Sequence, residues 1–403
     1  MSEWEETTIG DIVEFYDSRR IPLNSRQRAA RQGPYSYYGA SGVVDHIDDY
    51  IFEGRYLLVA EDGENLNSRK LPIAFFATGR FWVNNHAHII RGREGVADDQ
   101  FLKHWFADTN ISGYVTGAAQ PKLNQANLKR MAIRLPDYGT QRRIASILST
   151  YDDLIENNTR RIAILEEMAR RLYEEWFVHF RFPGHEEATF IDTEDGRMPE
   201  GWDVVRLDQA VEINPRTKVP KDGEKLFVPM GALSETGMNI AAAEYKTGNS
   251  GAKFMNGDTL VARITPCLEN GKTGFVDFLP QEQPTACGST EFIVLRSRTL
   301  CPQYVYLLAR SNRFRDVAIK SMSGATGRQR VRTEAIQELM IVQPSAPCLE
   351  RFEYIVAPLF KLIQSLTGKN RNLRTQRDIL LPKLVSGEID VSNAEVRVDV
   401  EAA

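Results

Sequence analysis

The 403-residue chain lacks any long apolar run; its densest stretch, Leu71 to Ala77, falls far short of the ~20 residues that span a bilayer. Its N-terminus, MSEWEETTIGDI, is acidic and has no signal-peptide core, so a cytoplasmic location is expected. Only four cysteines occur (Cys267, Cys287, Cys301, Cys348), all in the second half and none in a CxxC pair. Reduced thiols are expected, with neither disulfide nor zinc site. Excess positive charge is missing too, since the formal net charge is −4. Catalytic sets are equally scarce. Pro266 to Thr273 ends like a phosphate-cradling loop, but Pro266 replaces the first glycine and the backbone cannot wrap a phosphate. Glu269 with Lys272 finds no partner carboxylate of the kind a nuclease needs. His86 and His88 alternate along one strand without an evident third metal ligand. Asn214-Pro215 is followed by Arg216, where an amino-methyltransferase would carry an aromatic to stack on a flipped base. No metal or cofactor in this chain is expected, and a binding protein is favoured over an enzyme.

What the chain has is a repeat. Ile144, Leu148, Tyr151, Ile155, Asn158, Ile162, Leu165, Ala169, Leu172 and Trp176 step by alternating fours and threes. Phe352, Val356, Leu359, Ile363, Leu366, Asn370, Leu373, Arg377, Leu380 and Leu384 take the same steps 208 positions later. That spacing is a heptad seam. Laid antiparallel, the seams bring Ile144 to Leu384, Leu148 to Leu380, Trp176 to Phe352 and Asn158 to Asn370, with Arg377 over Tyr151. A buried Asn is tolerated when another amide answers it, so the matched pair fixes register. Thr140 is a plausible N-cap for the first helix. Pro358 is expected to split the second and Pro382 to bend its last turn.

The repeat reaches into the globular parts. Trp4, Ile9 and Glu14 match Trp202, Leu207 and Glu212 at an offset of 198. Gln120, Leu123, Asn124, Leu128, Met131 and Ile133 match Arg328, Val331, Arg332, Ile336, Leu339 and Ile341 at 208. Between these matches the interiors differ: YYGASG, NNHAH and GAAQPKLN in the first half have little counterpart in RITPCLENGKTG and CGSTEF. The expected fold class is α+β: two globular α/β heads separated by two long helices that form an antiparallel coiled coil, with a pseudo-twofold internal repeat. Boundaries are expected at 1–137 for head one, 138–182 for the central helix, 183–200 for a linker, 201–345 for head two, 346–387 for the second helix and 388–403 for a flexible tail. Strands are expected at Tyr56 to Ala60, Ile73 to Ala77, Phe81 to Val83, Phe227 to Pro229, Asp258 to Ile264 and Glu291 to Leu295.

Arginines gather in both heads: Arg19, Arg20, Arg26, Arg28 and Arg31 in one, and Arg310, Arg313, Arg315, Arg328, Arg330 and Arg332 with Lys320 in the other. Two basic patches in repeated settings suit a phosphate backbone. Beside the repeat stand RRLYEEWFVHFRFPG (170–184), MPEGW (198–202) and LLPKLVSGEID (380–390). With these marks the chain resembles the specificity subunit of a Type I restriction–modification system. The resemblance implies that the heads are target recognition domains, each reading one half of a split double-stranded DNA sequence. It also implies partners: two modification subunits using S-adenosylmethionine and two motor–nuclease subunits using ATP and Mg. A stand-alone DNA methyltransferase or nuclease is the alternative.

Short polar side chains and arginines read base edges in the major groove. In head one the candidates are Arg19, Arg20, Tyr38, Ser41, Asn84, Asn85, His86, Gln120, Lys122 and Asn124. In head two they are Arg263, Thr265, Asn270, Lys272, Ser289, Thr290, Arg328, Gln329 and Arg330. GAAQPKLN and GATGRQRVR cannot be superposed residue for residue, so the loop's role does not transfer directly. The seam from Ile144 to Trp176 spans roughly 50 Å. Major-groove sites on one face recur about every 34 Å, so half-sites about one turn apart are expected. Apolar residues near the helix ends, such as Trp176 and Phe177, are candidates for docking partner subunits.

Overall fold

A computed structural model describes residues 4–117, 119–193, 196–241, 243–325, 327–392 and 394. The chain divides into two compact units, one of residues 1–155 with 372–403, the other of residues 156–371. Each long helix, Tyr138–Tyr173 and Ala346–Val385, contributes one portion to either unit.

In the first unit, Glu5–Thr8 pairs antiparallel with Ala132–Leu135. A short turn of helix, Ile9–Ile12, then leads into Val13–Phe15 at the edge of a six-stranded mixed sheet. From that edge the sheet continues through Ala87–Gly92, Phe52–Ala60, Ala74–Val83, Gln32–Gly39 and Gly42–Ile47. The two expected strands at 73–77 and 81–83 are one strand, running through Gly79. The sheet has to curl. Phe52 pairs with Phe81 and Ala60 with Ala87, yet only residues 82–86 join those distant rungs. Gly54 and Gly79 face each other in the ladder, both at positive φ, and supply the bend that a side chain would resist. The core joins Leu57, Ile90, Phe101 and Trp105 to Ile144 and Leu148 of the first long helix and Leu384 and Val385 of the second. Burying a side chain such as Leu148 is worth about 1.5–3 kcal/mol.

Several local features differ from expectation. Asp137, not Thr140, caps the first long helix, its carboxylate accepting from the Thr140 N–H and hydroxyl. Arg377 donates to Asp152 and Asp378 and does not rest over Tyr151, because a carboxylate one residue away offers a stronger partner than a ring. The segment after the second helix is not a loose tail over its described part. Gly387 turns at φ +79 beside Trp4, and Ile389, Val391 and Ala394 pack on the core.

The second unit repeats the frame. Asp203–Arg206 pairs with Met340–Gln343, and Leu207–Ala210 leads into Val211–Ile213. That strand edges a four-stranded sheet continuing through Phe292–Ser297, Thr259–Ala262 and Thr273–Phe275. A second four-stranded sheet runs Glu244–Thr247, Glu224–Val228, Thr285–Gly288, Ala252–Met255. Phe254, Leu260, Val276 and Val294 form a core shared by the two sheets. Around the ends of the two long helices an aromatic cluster gathers Tyr173, Trp176, Phe177, Trp202, Tyr304 and Phe352. Trp176 and Phe352 meet at 5.7 Å between ring centroids. Asn158 donates from Nδ2 to Asn370 Oδ1 at 2.9 Å, both residues buried, and Asn370 Nδ2 donates to Thr159 Oγ1 at 3.2 Å. The helices therefore run antiparallel in this unit in the expected register.

Two further expectations fail. The stretch taken as a linker holds a hairpin, Phe190–Thr193 with Gly196–Pro199, and buries Met198; Phe180 and Phe182 pack on Trp202. The strand pairing of this stretch and the burial of Met198 outweigh its turn residues. Pro358 does not split the second helix, and Pro382 lies within it. An interior proline costs ~3 kcal/mol. The burial of Phe352, Val356, Phe360, Ile363 and Leu366 on either side offsets that loss.

Candidate nucleic-acid interface

In the first unit a chain of contacts assembles most of the candidates. The Asn84 N–H donates to the Tyr38 carbonyl, and Asn84 Oδ1 accepts from the His86 N–H. His86 Nδ1 lies 2.7 Å from Asp62 Oδ2. The Glu61 N–H donates to the His86 carbonyl, and the Leu123 N–H to the Glu61 carbonyl. Lys122 Nζ reaches Glu61 Oε1 at 3.2 Å. Tyr38, Asn84–His86 and the turn that Thr116 and Lys122 close thus belong to one polar surface of this unit. The loop is closed by pairing of Thr116 with Lys122, and Gly117 opens it at φ +87. A Cβ at Gly117 would stand 2.4 Å from the Gln120 carbonyl, so only glycine fits.

Beneath this surface lies a charged brace. Asp17 accepts from the Ile89 N–H, and its Oδ2 lies 2.6 Å from His88 Nδ1 and accepts from Gln125. Arg20 donates to Glu61 and to the Ala87 carbonyl. Burial would raise the Asp17 carboxyl, but the His88 contact overrides it and the pKa falls. Glu61 behaves alike: burial raises it, while Arg20, His88 and Lys122 bring it below its usual range.

The side chains divide between exposed surface and internal duty. Ser41, Asn85, His86, Gln120 and Lys122 are exposed. Arg20 is a brace; Arg19 donates to the Ile51 carbonyl and lies over Phe52. Asn84 is buried in its turn, and Asn124 caps the helix Gln125–Lys129 by accepting from the Asn127 N–H. Nor is the arginine run an open basic patch. Arg28 pairs with Asp45 over Tyr37, and Arg31 with Asp48 and Asp49 over Trp82. Carboxylates scattered 17 residues downstream claim the charge because the strand order folds them back onto it.

The second unit builds a corresponding loop from other residues. Ser323 pairs with Arg330, Gly324 opens the loop at φ +122, and Ile264 pairs with Arg330. In the first unit Lys122 pairs with Thr116 and with Asp62 in the same pattern. The backbone role therefore does transfer between loops whose sequences do not superpose. Arg330 forms a fork on Glu291, the closest contact 2.6 Å, and holds that carboxyl below its usual range. Thr265 Oγ1 accepts from the Gln329 N–H, and Ser289 Oγ from the Glu291 N–H. Asn270 donates to Glu235. Its turn, which carries Lys272, is tied down by Arg310 and Arg315 bonding the Gly271 and Glu269 carbonyls, so those two arginines serve the fold. Arg328 and Thr290 are exposed; Arg263, Lys272 and Gln329 are partly so.

Beside them lies a cleft of about 540 Å³ lined by Asn214, Arg216, Thr217, Lys253, Arg263 and Thr290, among others. Arg216, Thr217 and Lys253 were not among the expected site residues. The signal was available: Asn214 to Lys218 is a polar, doubly basic turn directly after a strand. Among the described residues no cluster of His, Cys, Asp and Glu could hold a metal, and no helix is long and apolar enough to cross a membrane.

Residues 1–167 match the family described as Type I restriction modification DNA specificity domain. The specificity subunit of the Type I restriction enzyme MjaIX of Methanocaldococcus jannaschii is 26% identical over 89% of this chain and 84% of its own. That of HindI of Haemophilus influenzae is 22% identical over 96% of this chain and 100% of its own. A putative specificity subunit of Haemophilus influenzae, S.HindORF215P, is 32% identical over 36% of this chain and 37% of its own. In fold, the crystal structure of the Type I restriction–modification system S subunit from M. genitalium superposes with a TM-score of 0.62 at 13% identity, covering 95% of this chain and 96% of that one.

Proposed function

We propose, from its similarity to Type I restriction–modification specificity subunits, that the chain belongs to that family and that each of its two heads reads one half of a split DNA target. The protein is a non-catalytic DNA-recognition subunit; a stand-alone methyltransferase or nuclease is not favoured. One observation carries the split-site reading: a single backbone frame recurs around two unlike polar surfaces. Two copies of one surface would read one sequence twice, whereas two unlike surfaces suit an asymmetric, two-part target.

In the first head, exposed Ser41, Asn85, His86, Gln120 and Lys122 face the bases and phosphates, and the brace of Asp17, His88, Arg20 and Glu61 holds them in place. Rigid support of this kind turns flexible side chains into readers, since less freedom is lost on binding. In the second head, Arg263, Thr290, Arg328 and Gln329 take that part. The paired long helices serve as the ruler between half-sites, and the Asn158–Asn370 pair locks its register. Partners complete the activity: two modification subunits bring S-adenosylmethionine and methyl transfer, and two motor–nuclease subunits bring ATP, Mg and cleavage. Trp176 and Phe177 are both buried in the aromatic cluster, so partner docking falls to exposed neighbours such as Val178.

Inserting one heptad between Asn158 and Leu165, with a matching heptad in the facing helix, tests the ruler. The expected result is an altered count of unread bases with both half-sites retained. An unchanged spacer in selected sites contradicts it.

A further inference from the structure

We propose that the cleft beside Asn214 seats the DNA strand of the second half-site, with Arg216 and Lys253 on phosphates and Arg263 on a guanine edge. This rests on the DNA-recognition reading above and deepens it. The local chain is shaped for the task. Asn214 sits at φ +53, a left-handed conformation that few residues other than glycine adopt, and its side chain accepts from the Val294 N–H while its own N–H donates back to Val294. That doubly tied turn lifts Pro215–Thr217 off the strand Val211–Ile213 and lays it along the cleft. Thr217 is fixed from behind, its hydroxyl accepting from Arg296, which is itself locked on buried Asp258.

Charge points the same way. Three cations line the cleft, and no carboxylate does among the described residues. In a chain with net charge −4 such a one-signed hollow attracts an anion. The nearest acid, Glu291, is already engaged by the Arg330 fork and stands 4.0 Å from Arg263 Nε. That Nε–H is buried without any hydrogen-bond acceptor. A buried donor lies out of reach of an incoming base, so the base contact falls to the terminal Nη groups of this side chain, which is 30% exposed and lines the cleft. Guanine offers O6 and N7 in the fork geometry that a guanidinium matches. Arg216 and Lys253, on longer reach and outside the internal ion pairs, suit the sequence-independent phosphate contacts.

The test uses the full chain co-expressed with its modification subunit, random-sequence duplexes, and affinity measured across a salt series. R216A/K253A removes two phosphate contacts, so the slope of log affinity against log salt is expected to fall by about 2. The selected bases should stay the same. R263K keeps the charge but loses the fork, and preference at one base pair of the second half-site is expected to relax about tenfold or more, with the first half-site unchanged. A wild-type slope in R216A/K253A, or an intact second half-site in R263K, overturns the proposal while leaving DNA recognition standing. If the wild-type complex itself shows neither salt-dependent binding nor a selected motif, the parent reading fails and this one with it.

Discussion

Lys122 in the first head and Arg330 in the second close loops of the same backbone pattern, but what stands behind each cation differs. Lys122 leans on Glu61, which Arg20 and His88 also contact, which rests above Asp17, and nearly all of this lies inside the unit. Arg330 holds Glu291 with one further cation, Arg263, nearby, and beyond them the surface opens into a basic cleft. The first head is a braced polar surface; the second is a charged hollow. The frame around them, a two-stranded ribbon, a one-turn helix and an edge strand, scarcely changes. Residues of the frame pack against the long helices, whereas the candidate recognition residues answer to contacts within their own head and differ between the two.

The largest expected break in this comparison comes from Asp258, 1% exposed and bidentate to Arg296. Asp258→Ala strands a half-buried guanidinium and should cost the second unit about 3–5 kcal/mol. Hydrogen exchange resolved by unit should show the first unit unaffected. Loss of protection spread equally over both would deny that they are separately stabilised.

Acid should drive the two units in opposite directions. Burial, aided by Lys103, pushes the His104 imidazole of the first unit down to about 4. The unfolded chain then binds a proton that the fold excludes, so this unit loses about 3 kcal/mol as pH falls from about 6.5 to 4. Burial pushes the Asp277 carboxyl of the second unit up to about 6. Here the fold takes up the proton first, so this unit gains about 3 kcal/mol as pH falls from about 6 to 4. Unit-resolved denaturation at pH 7 and pH 4.5 reads both slopes. His104→Gln and Asp277→Asn should each flatten one slope and leave the other.

A smaller effect is expected at the helix pair. Asn158→Leu removes the donor to the buried Asn370 Oδ1, while Asn370 Nδ2 keeps Thr159, at a cost of about 1–3 kcal/mol. The double change N158L/N370L should recover that stability while loosening register, visible as mixed spacer lengths among selected DNA sites. An additive loss in the double variant would mean that the two amides do not act together. Of similar size is Gly117→Ala, where a positive φ and the nearby Gln120 carbonyl together impose about 1–3 kcal/mol of strain. Reading of the first half-site should weaken with the second intact; equal weakening of both would break the division of labour.

The frame and the helices were legible because they follow period. Apolar spacing of three and four, and offsets of 198 and 208, record packing that the whole chain must satisfy. The matched asparagines were readable for the same reason. The tail and the supposed linker were misread because turn residues there mask Val391 and Met198, each buried. At the candidate sites, Arg20, Asn84 and Asn124 look like readers in sequence but serve the fold, since their partners Glu61, His86 and Asn127 are set by tertiary pairing or local capping. Arg216 and Lys253 were overlooked because the cleft exists only once three strands bring distant segments together.

Sequencing the methylated sites of cells that express this chain with its modification subunits tests the central claim most directly. The account predicts a motif of two different specified halves separated by a fixed number of unspecified bases. A single continuous motif, or one half repeated twice, would contradict it.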